Sequence, residues 1–282
     1  MDLYYTVIKK IYTEHTLCTQ YVYDIRGRKS GMAKIITYIN EKGGVGKTSA
    51  CFNTAWVLAS QGKKILMIDM DGQKSNLTFF AGIEKEDSLL TIMDVLKNGR
   101  NILEIATEIT SNLWIVPADS TASNMGMDIK VTGFRKELER VRQHFDYIFI
   151  DVNPTPGWGH YLALSVCDYA VVVMLPDIAS LEGNSGILES IEEIQGTTNN
   201  KLKIAGFLFN RNNATKLSRR VNDIANGMAE IYNTTVFQTK IPQGVSLGEC
   251  VASHMGVTEY DPSSKPAEAI KEFAAELELK VK

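Results

Sequence analysis

The stretch Asn40-Glu41-Lys42-Gly43-Gly44-Val45-Gly46-Lys47-Thr48-Ser49 constrains this chain more than any other. Before it, Ile35–Ile39 is a short β-branched, apolar run that reads as a buried strand. After it, Cys51, Phe52, Ala55, Trp56, Leu58 and Ala59 recur at helical spacing, and Gly62 stands where a C′ glycine ends a helix. Strand, glycine loop, Lys-Thr and helix N-terminus in that order make a phosphate cradle. Glycines let successive backbone N–H groups converge on phosphate oxygens, and the helix dipole adds partial positive charge. Lys47 is expected on the β- and γ-phosphates and the Thr48 hydroxyl on Mg²⁺, so ATP and Mg²⁺ are the expected ligands. The loop departs from the common pattern G-x-x-x-x-G-K-[ST] at its start, where Glu41 replaces glycine and a second lysine, Lys42, follows.

Strands continue to alternate with helices. Lys64–Asp69 reads as a second strand that ends in Asp69-Met70-Asp71-Gly72-Gln73, placing acids on the carboxyl edge where open α/β sheets bind ligands. Helical patterns follow around Leu89–Leu96 and Ile102–Ile109, then a strand at Leu113–Pro117 and a helix over Phe134–Gln143. Asp146–Asp151 is an apolar strand closing on aspartate, the position of an acid that organises Mg²⁺ and its waters. The proline- and glycine-rich turn 152–157 after it suits a nucleotide-sensing switch.

Further strands are expected at Tyr169–Leu175, Ile204–Phe209 and Val236–Ile241. One amphipathic helix is expected through Leu181, Ile187, Leu188, Ile191 and Ile194, and another with Leu217, Val221, Ile224 and Met228 on its core side. Two C-terminal helices complete the pattern, near Leu247–Ser253 and Ala267–Leu279. The fold class is therefore α/β: a single P-loop NTPase domain over 32–282 with a mostly parallel central sheet and helices on both faces.

Residues 1–31 differ from the rest. Tyr4, Tyr5, Tyr12, Tyr21 and Tyr23 crowd there among Lys9, Lys10, Arg26, Arg28 and Lys29, so the segment is net positive in a chain of formal net charge −3. It reads either as a short arm that docks on a partner or nucleic acid, or as a translated leader before a natural start at Met32. Cys18, Cys51, Cys167 and Cys250 are widely spaced, which argues against a zinc site or a disulfide framework. With no membrane-length apolar segment and no signal-peptide core, a cytoplasmic location without membrane attachment is expected.

Lys-Gly-Gly-Val-Gly-Lys-Thr (42–48), Ile-Asp-Met-Asp-Gly-Gln (68–73) and Tyr-Ile-Phe-Ile-Asp (147–151) resemble the three nucleotide motifs of the deviant-Walker ATPases. Within that superfamily the chain resembles the ParA/Soj plasmid and chromosome partition proteins, from about Met32 to the C-terminus, with 83–143 the weakest part. Ala179–Gly183, Ile241-Pro242-Gln243 and Tyr260–Lys265 are similar to segments of the same family.

The resemblance implies roles. Lys42 matches the signature lysine that crosses a dimer interface to the partner's nucleotide, and Asp71 the acid that positions the attacking water. Asp69, Thr48 and Asp151 match the magnesium-side residues, while Asn210, Pro242 and Gln243 fall where the family holds adenine. An ATP-dependent sandwich homodimer, non-specific duplex DNA and a ParB-like centromere-binding partner follow as expected partners, with residence on the nucleoid. For DNA the sequence offers six basic residues and no acid from Lys201 to Arg220, with Arg211, Lys216, Arg219 and Arg220 the candidate phosphate contacts. A MinD-like positioning ATPase and a nucleotide-gated DNA scaffold with negligible turnover are the alternatives. Two departures stand out. Val152-Asn153-Pro154 replaces a pair of adjacent prolines, and no large helix-turn-helix region precedes the domain, so an operator-binding role is not expected.

Overall fold

Seven strands form one sheet in the order β3-β4-β2-β5-β1-β6-β7. The computed structural model describes residues 31–282 apart from 75, 85–88 and 214; the tyrosine-rich, basic segment 1–31, with Cys18, lies outside the described residues except for Gly31. The strands are β1 (Lys34–Ile39), β2 (Ile65–Asp69), β3 (Thr107–Thr110), β4 (Leu113–Val116), β5 (Tyr147–Asp151), β6 (Tyr169–Met174) and β7 (Lys203–Phe209). All pair in parallel except β3, which lies antiparallel on the β4 edge. Near-continuous burial of β2, β4, β5 and β6 is what a sheet covered on both faces requires.

Alternation along the strands feeds two cores. Ile35 and Ile39 of β1 join one cluster, and Ile36 and Tyr38 the other. On the second face lies α1 (Lys47–Ser60), whose residues from Ala50 to Ala59 are all buried. It ends in a Schellman motif: Gly62 (φ +86°) donates to the Ala59 carbonyl at 2.9 Å and Lys63 to Leu58 at 3.1 Å. Even the polar residues inside α1 are satisfied, since Thr54 donates to the Ala50 carbonyl and Asn53 accepts the Val257 N–H at 2.7 Å. Burying Phe52 and Leu58 completely stabilises this seat by roughly 1.5–3 kcal/mol each.

Local competition redraws several expected elements. The pattern at Leu89–Leu96 becomes α3 (Ile92–Asn98), following the short α2 (Asn76–Phe80), because Thr91 and Asp94 form a capping box that starts the helix at Ile92. Ile102–Ile109 is not one helix. After α4 (Ile102–Ile105) the chain turns into β3, and Asn112 (φ +69°) in the left-handed region returns it as a hairpin onto β4. The helix expected at Phe134–Gln143 is α5 (Val131–Val141) with a 3₁₀ turn after it, and α6 (Trp158–Val166) follows β5.

The single helix expected from Leu181 to Ile194 is two, α7 (Ile178–Glu182) and α8 (Ser185–Thr197). Asn184 at the break is buried, and its side-chain oxygen accepts a 2.6 Å bond from Asn40. Val236–Ile241 runs beside β7 but pairs with it only at isolated points. Its Gln238 and Thr239 N–H groups turn instead to the Glu276 carboxylate at 2.8 and 3.0 Å. Helix α9 (Lys216–Ile231) is rotated relative to the expected stripe: Ser218, Val221, Ala225 and Ala229 are buried, whereas Leu217 and Ile224 are exposed. Three C-terminal helices replace the expected two, α10 (Ser246–Ala252), α11 (Val257–Tyr260) and α12 (Lys265–Lys280). Helix α12 buries Ile270, Phe273, Ala274 and Leu277 in the same core as α1.

Candidate nucleotide site

The loop between β1 and α1 is built by two left-handed glycines, Gly44 (φ +74°) and Gly46 (φ +93°). A Cβ on Gly46 would stand 1.9 Å from the Asn210 side-chain nitrogen, so that position is closed to other residues by both conformation and space. Gly46 is the N-cap of α1 and no side chain caps the helix, which leaves its first N–H groups available to an anion. Asn40 anchors the loop's start: its amide donates to the Val173 carbonyl and to Asn184, and its oxygen accepts the Lys42 N–H at 2.7 Å.

A cleft of about 610 Å³ opens over this loop. Gly43, Gly44, Gly46, Lys47, Thr48, Ser49, Asp71, Asn210 and Gln243 all line it, so the structure gathers most of the expected ligand residues. Val45 turns its side chain into the core instead, and Pro242 is half-buried next to Gln243. Asn210 donates to the Val45 carbonyl at 2.8 Å, tying the end of β7 to the phosphate loop. Arg211, expected on a DNA surface, lines this cleft, apart from the helix that carries Lys216, Arg219 and Arg220.

The three acids sit in distinct environments. Asp151 is fully buried and neither carboxylate oxygen makes a hydrogen bond of normal geometry, although Thr48 lies close enough to favour its charged form. Burial, then the Asp69 charge, pushes its pKa up to about 8, against the pull of Thr48 and Lys47. Asp69, its register partner on β2, is also buried, but its oxygens are taken: Oδ1 accepts the Asp71 N–H and Oδ2 accepts both the N–H and the hydroxyl of Thr78. Burial raises Asp69 to about 6, opposed by the Thr78 bonds. Asp71 lines the cleft and accepts the N–H groups of Gln73 and Lys74. Lys47 is buried, which lowers its pKa, while Asp151 and Asp71 act the other way.

These residues fit a magnesium nucleotide. An unpartnered buried carboxylate beside a threonine and a lysine calls for a cation, and a glycine cradle that a Cβ would fill calls for phosphate. Among the described residues no group of three or more His, Cys, Asp or Glu side chains forms an all-protein metal cage. Mg²⁺ takes one or two carboxylates and completes its shell with phosphates and water, and Asp151 offers one such carboxylate.

Lys42 stands apart from the cleft wall, with its ammonium 3.2 Å from Asp177. Cys51, Cys167 and Cys250 are each buried and free. Sequence reasoning missed Asn40, Thr78, Asn184 and Asp177; their roles rest on partners more than a hundred residues away or across a turn, and no local spacing marks them.

Taken with the sheet order, a phosphate loop on the interior strand β1, with acids at the ends of β5 beside it and of β2 one strand further, places this molecule among the P-loop ATPases. An AAA domain family profile matches residues 33–204. The chain is 32% identical over 255 residues to the sporulation initiation inhibitor protein Soj of Bacillus subtilis, covering 87% of this chain and 98% of that protein. It is 31% identical over 256 residues to the chromosome partitioning protein ParA of Myxococcus xanthus, covering 87% and 88%. The chain belongs to the ParA/Soj family.

Solved structures share the fold. An ATP complex of an McdA variant from Cyanothece superposes with a TM-score of 0.76 at 21% identity, over 90% of this chain and 98% of that one. The septum site-determining protein MinD of Pyrococcus horikoshii, complexed with Mg-ADP, gives 0.72 at 22% identity, over 89% and 100%.

Proposed function

We propose that this chain is a partition ATPase that binds Mg-ATP, hydrolyses it slowly to ADP and phosphate, and uses the bound nucleotide to form a dimer that holds duplex DNA. The observation that carries this reading is the Asp151 carboxylate, buried with both oxygens unpartnered next to the Lys47–Thr48 turn. Phosphoryl transfer asks a protein for positioning and charge neutralisation. The loop N–H groups and Lys47 hold the phosphates, Thr48 and Asp151 face the metal, and Asp71 orients the attacking water. Bound Mg²⁺ neutralises charge on the phosphates. Asp69, with its oxygens taken by backbone and Thr78, acts on the loop that bears Asp71. Asn210 and Gln243 line the part of the cleft assigned to the base.

Lys42 neutralises charge on the partner's nucleotide, which ties dimerisation to ATP. Its position outside the cleft wall of its own subunit supports this role. DNA is held by Lys216, Arg219 and Arg220 on α9, all exposed and without an acidic partner in an ion pair among the described residues. Two copies of the patch in a dimer raise effective affinity. A ParB-like centromere-binding protein stimulates turnover, in service of plasmid or chromosome segregation on the nucleoid.

The MinD-like alternative needs a free amphipathic membrane helix. Helix α12 instead spends its apolar face on the core, which favours the partition reading. The deciding experiment measures mass by light scattering and duplex binding by fluorescence anisotropy, each with ATP, ADP and no nucleotide. ATP-specific dimerisation with ATP-specific duplex binding is expected. Binding to anionic vesicles and not to duplex would favour the MinD-like reading.

A further inference from the structure

The loop that carries Asp71 has to be fixed against the sheet before Asp71 can aim a water. Asp71 accepts the Gln73 and Lys74 N–H groups at 3.0 and 3.3 Å, which shapes the loop but does not anchor it. The anchor runs through Thr78. Asp69, at the end of β2, accepts the Asp71 N–H at 2.9 Å on one oxygen. On the other it accepts the Thr78 N–H at 2.9 Å and the Thr78 hydroxyl at 2.7 Å. That same hydroxyl accepts the Ala118 N–H at 2.9 Å, just past the end of β4. One fully buried hydroxyl therefore joins two strand ends. The same side of the loop is pressed onto the 3₁₀ turn Ser120–Asn124: a Cβ on Gly72 would stand 1.9 Å from the Ser123 nitrogen.

We infer that Thr78 is a positioning residue for hydrolysis, holding Asp69, and through it the Asp71 backbone, where Asp71 can orient the attacking water. The inference rests on the phosphoryl-transfer reading of the site. Thr78 does not line the cleft and touches no ligand position, so its effect falls on the rate and not on ATP affinity. Loss of the hydroxyl removes one donor from a buried carboxylate and strands the Ala118 N–H without its acceptor. The loop then relaxes, and small misplacements of a catalytic group are costly in rate.

Thr78→Val removes the hydroxyl at nearly constant shape, and Thr78→Ser keeps it. Single-turnover hydrolysis and calorimetric ATP affinity are measured for both, for Asp71→Ala, and for the Asp71→Ala/Thr78→Val double variant. Thr78→Val is expected to slow hydrolysis by about ten- to a hundred-fold with ATP affinity within about two-fold of the parent. Thr78→Ser should recover most of the rate, and the double variant should be no slower than Asp71→Ala alone, because both act through one group. Parent-like hydrolysis by Thr78→Val, a parallel fall in affinity, no rescue by serine, or additive losses in the double variant would each overturn the inference. If Thr78→Val does not fold, Thr78→Ala replaces it under the same criteria. The two readings fail differently: parent-like turnover by Asp71→Ala sinks the site assignment as a whole, whereas an inactive Asp71→Ala beside a normal Thr78→Val sinks this inference only.

Discussion

The Lys42 ammonium lies 3.2 Å from Asp177 Oδ1, and that same oxygen accepts the Ser180 N–H at 2.7 Å as the N-cap of α7. The lysine is held beside a helix start instead of over its own phosphate loop. Both side chains are more than a third exposed, at 36% and 39%, so the pair itself contributes little; Asp177→Asn should cost under about 1 kcal/mol in denaturant unfolding. Lys42→Ala should bind ATP as the parent does, since the loop N–H groups remain, yet stay monomeric with ATP. A normal ATP-dependent dimer in that variant, by light scattering, would show that the lysine does not act across an interface.

Lys47 and Asp71 should separate binding from chemistry. Lys47→Ala removes the buried counter-cation of the cradle and should abolish measurable ATP binding by calorimetry. Asp71→Ala should bind ATP and dimerise but fail to turn over, so its dimer should persist for hours where the parent's decays.

The raised pKa of Asp151 sets a pH dependence. Its folded value of about 8 lies above that of an unfolded carboxylate, about 3.9, so between these the native state holds a proton that the unfolded state lacks. Nucleotide-free protein should therefore lose stability as pH rises from about 4 to about 8. Metal binding needs the anion, so the Mg²⁺-dependent part of ATP affinity should rise with pH up to about 8 and then level off. Calorimetry in two buffers of different ionisation enthalpy reads both affinity and proton release. A flat profile without proton release would remove Asp151 from the metal's surroundings.

Arg219→Ala/Arg220→Ala should weaken duplex binding uniformly across sequences and lower the salt slope by about 1 per lost phosphate contact. ATP hydrolysis without DNA should be unchanged. Equal binding by parent and variant at low and moderate salt would mean that this face of α9 is only solvated charge.

The rotation of α9 makes a stability test. Val221 is fully buried while Ile224 is 44% exposed. Val221→Ala should cost about 1–3 kcal/mol, and Ile224→Ala should stay within about 0.5 kcal/mol. A cost at Ile224 as large as that at Val221 in urea unfolding would restore the stripe expected from spacing alone.

Those parts of this protein whose signal is local were legible in the amino-acid order alone. A β-branched run, a glycine loop with Lys-Thr and a helical period define the phosphate cradle within Ile35–Ala59, because turn geometry and helix capping act over a few residues. Apolar strands closing on Asp69 and Asp151 likewise predict where acids fall, since a parallel strand's carboxyl end is fixed by its direction. Tertiary structure decided what each acid is free to do. Asp69 and Asp151 look alike in sequence, yet Thr78 and a loop N–H fill the oxygens of one and leave the other bare. It also decided which face of α9 is buried, because Leu217 and Val221 both fit a helical stripe and only packing on β7 and α7 selects Val221. Asn40 meeting Asn184, and Lys42 meeting Asp177, are contacts between distant segments that the sheet order brings together. Propensity and periodicity carry no information about such pairs.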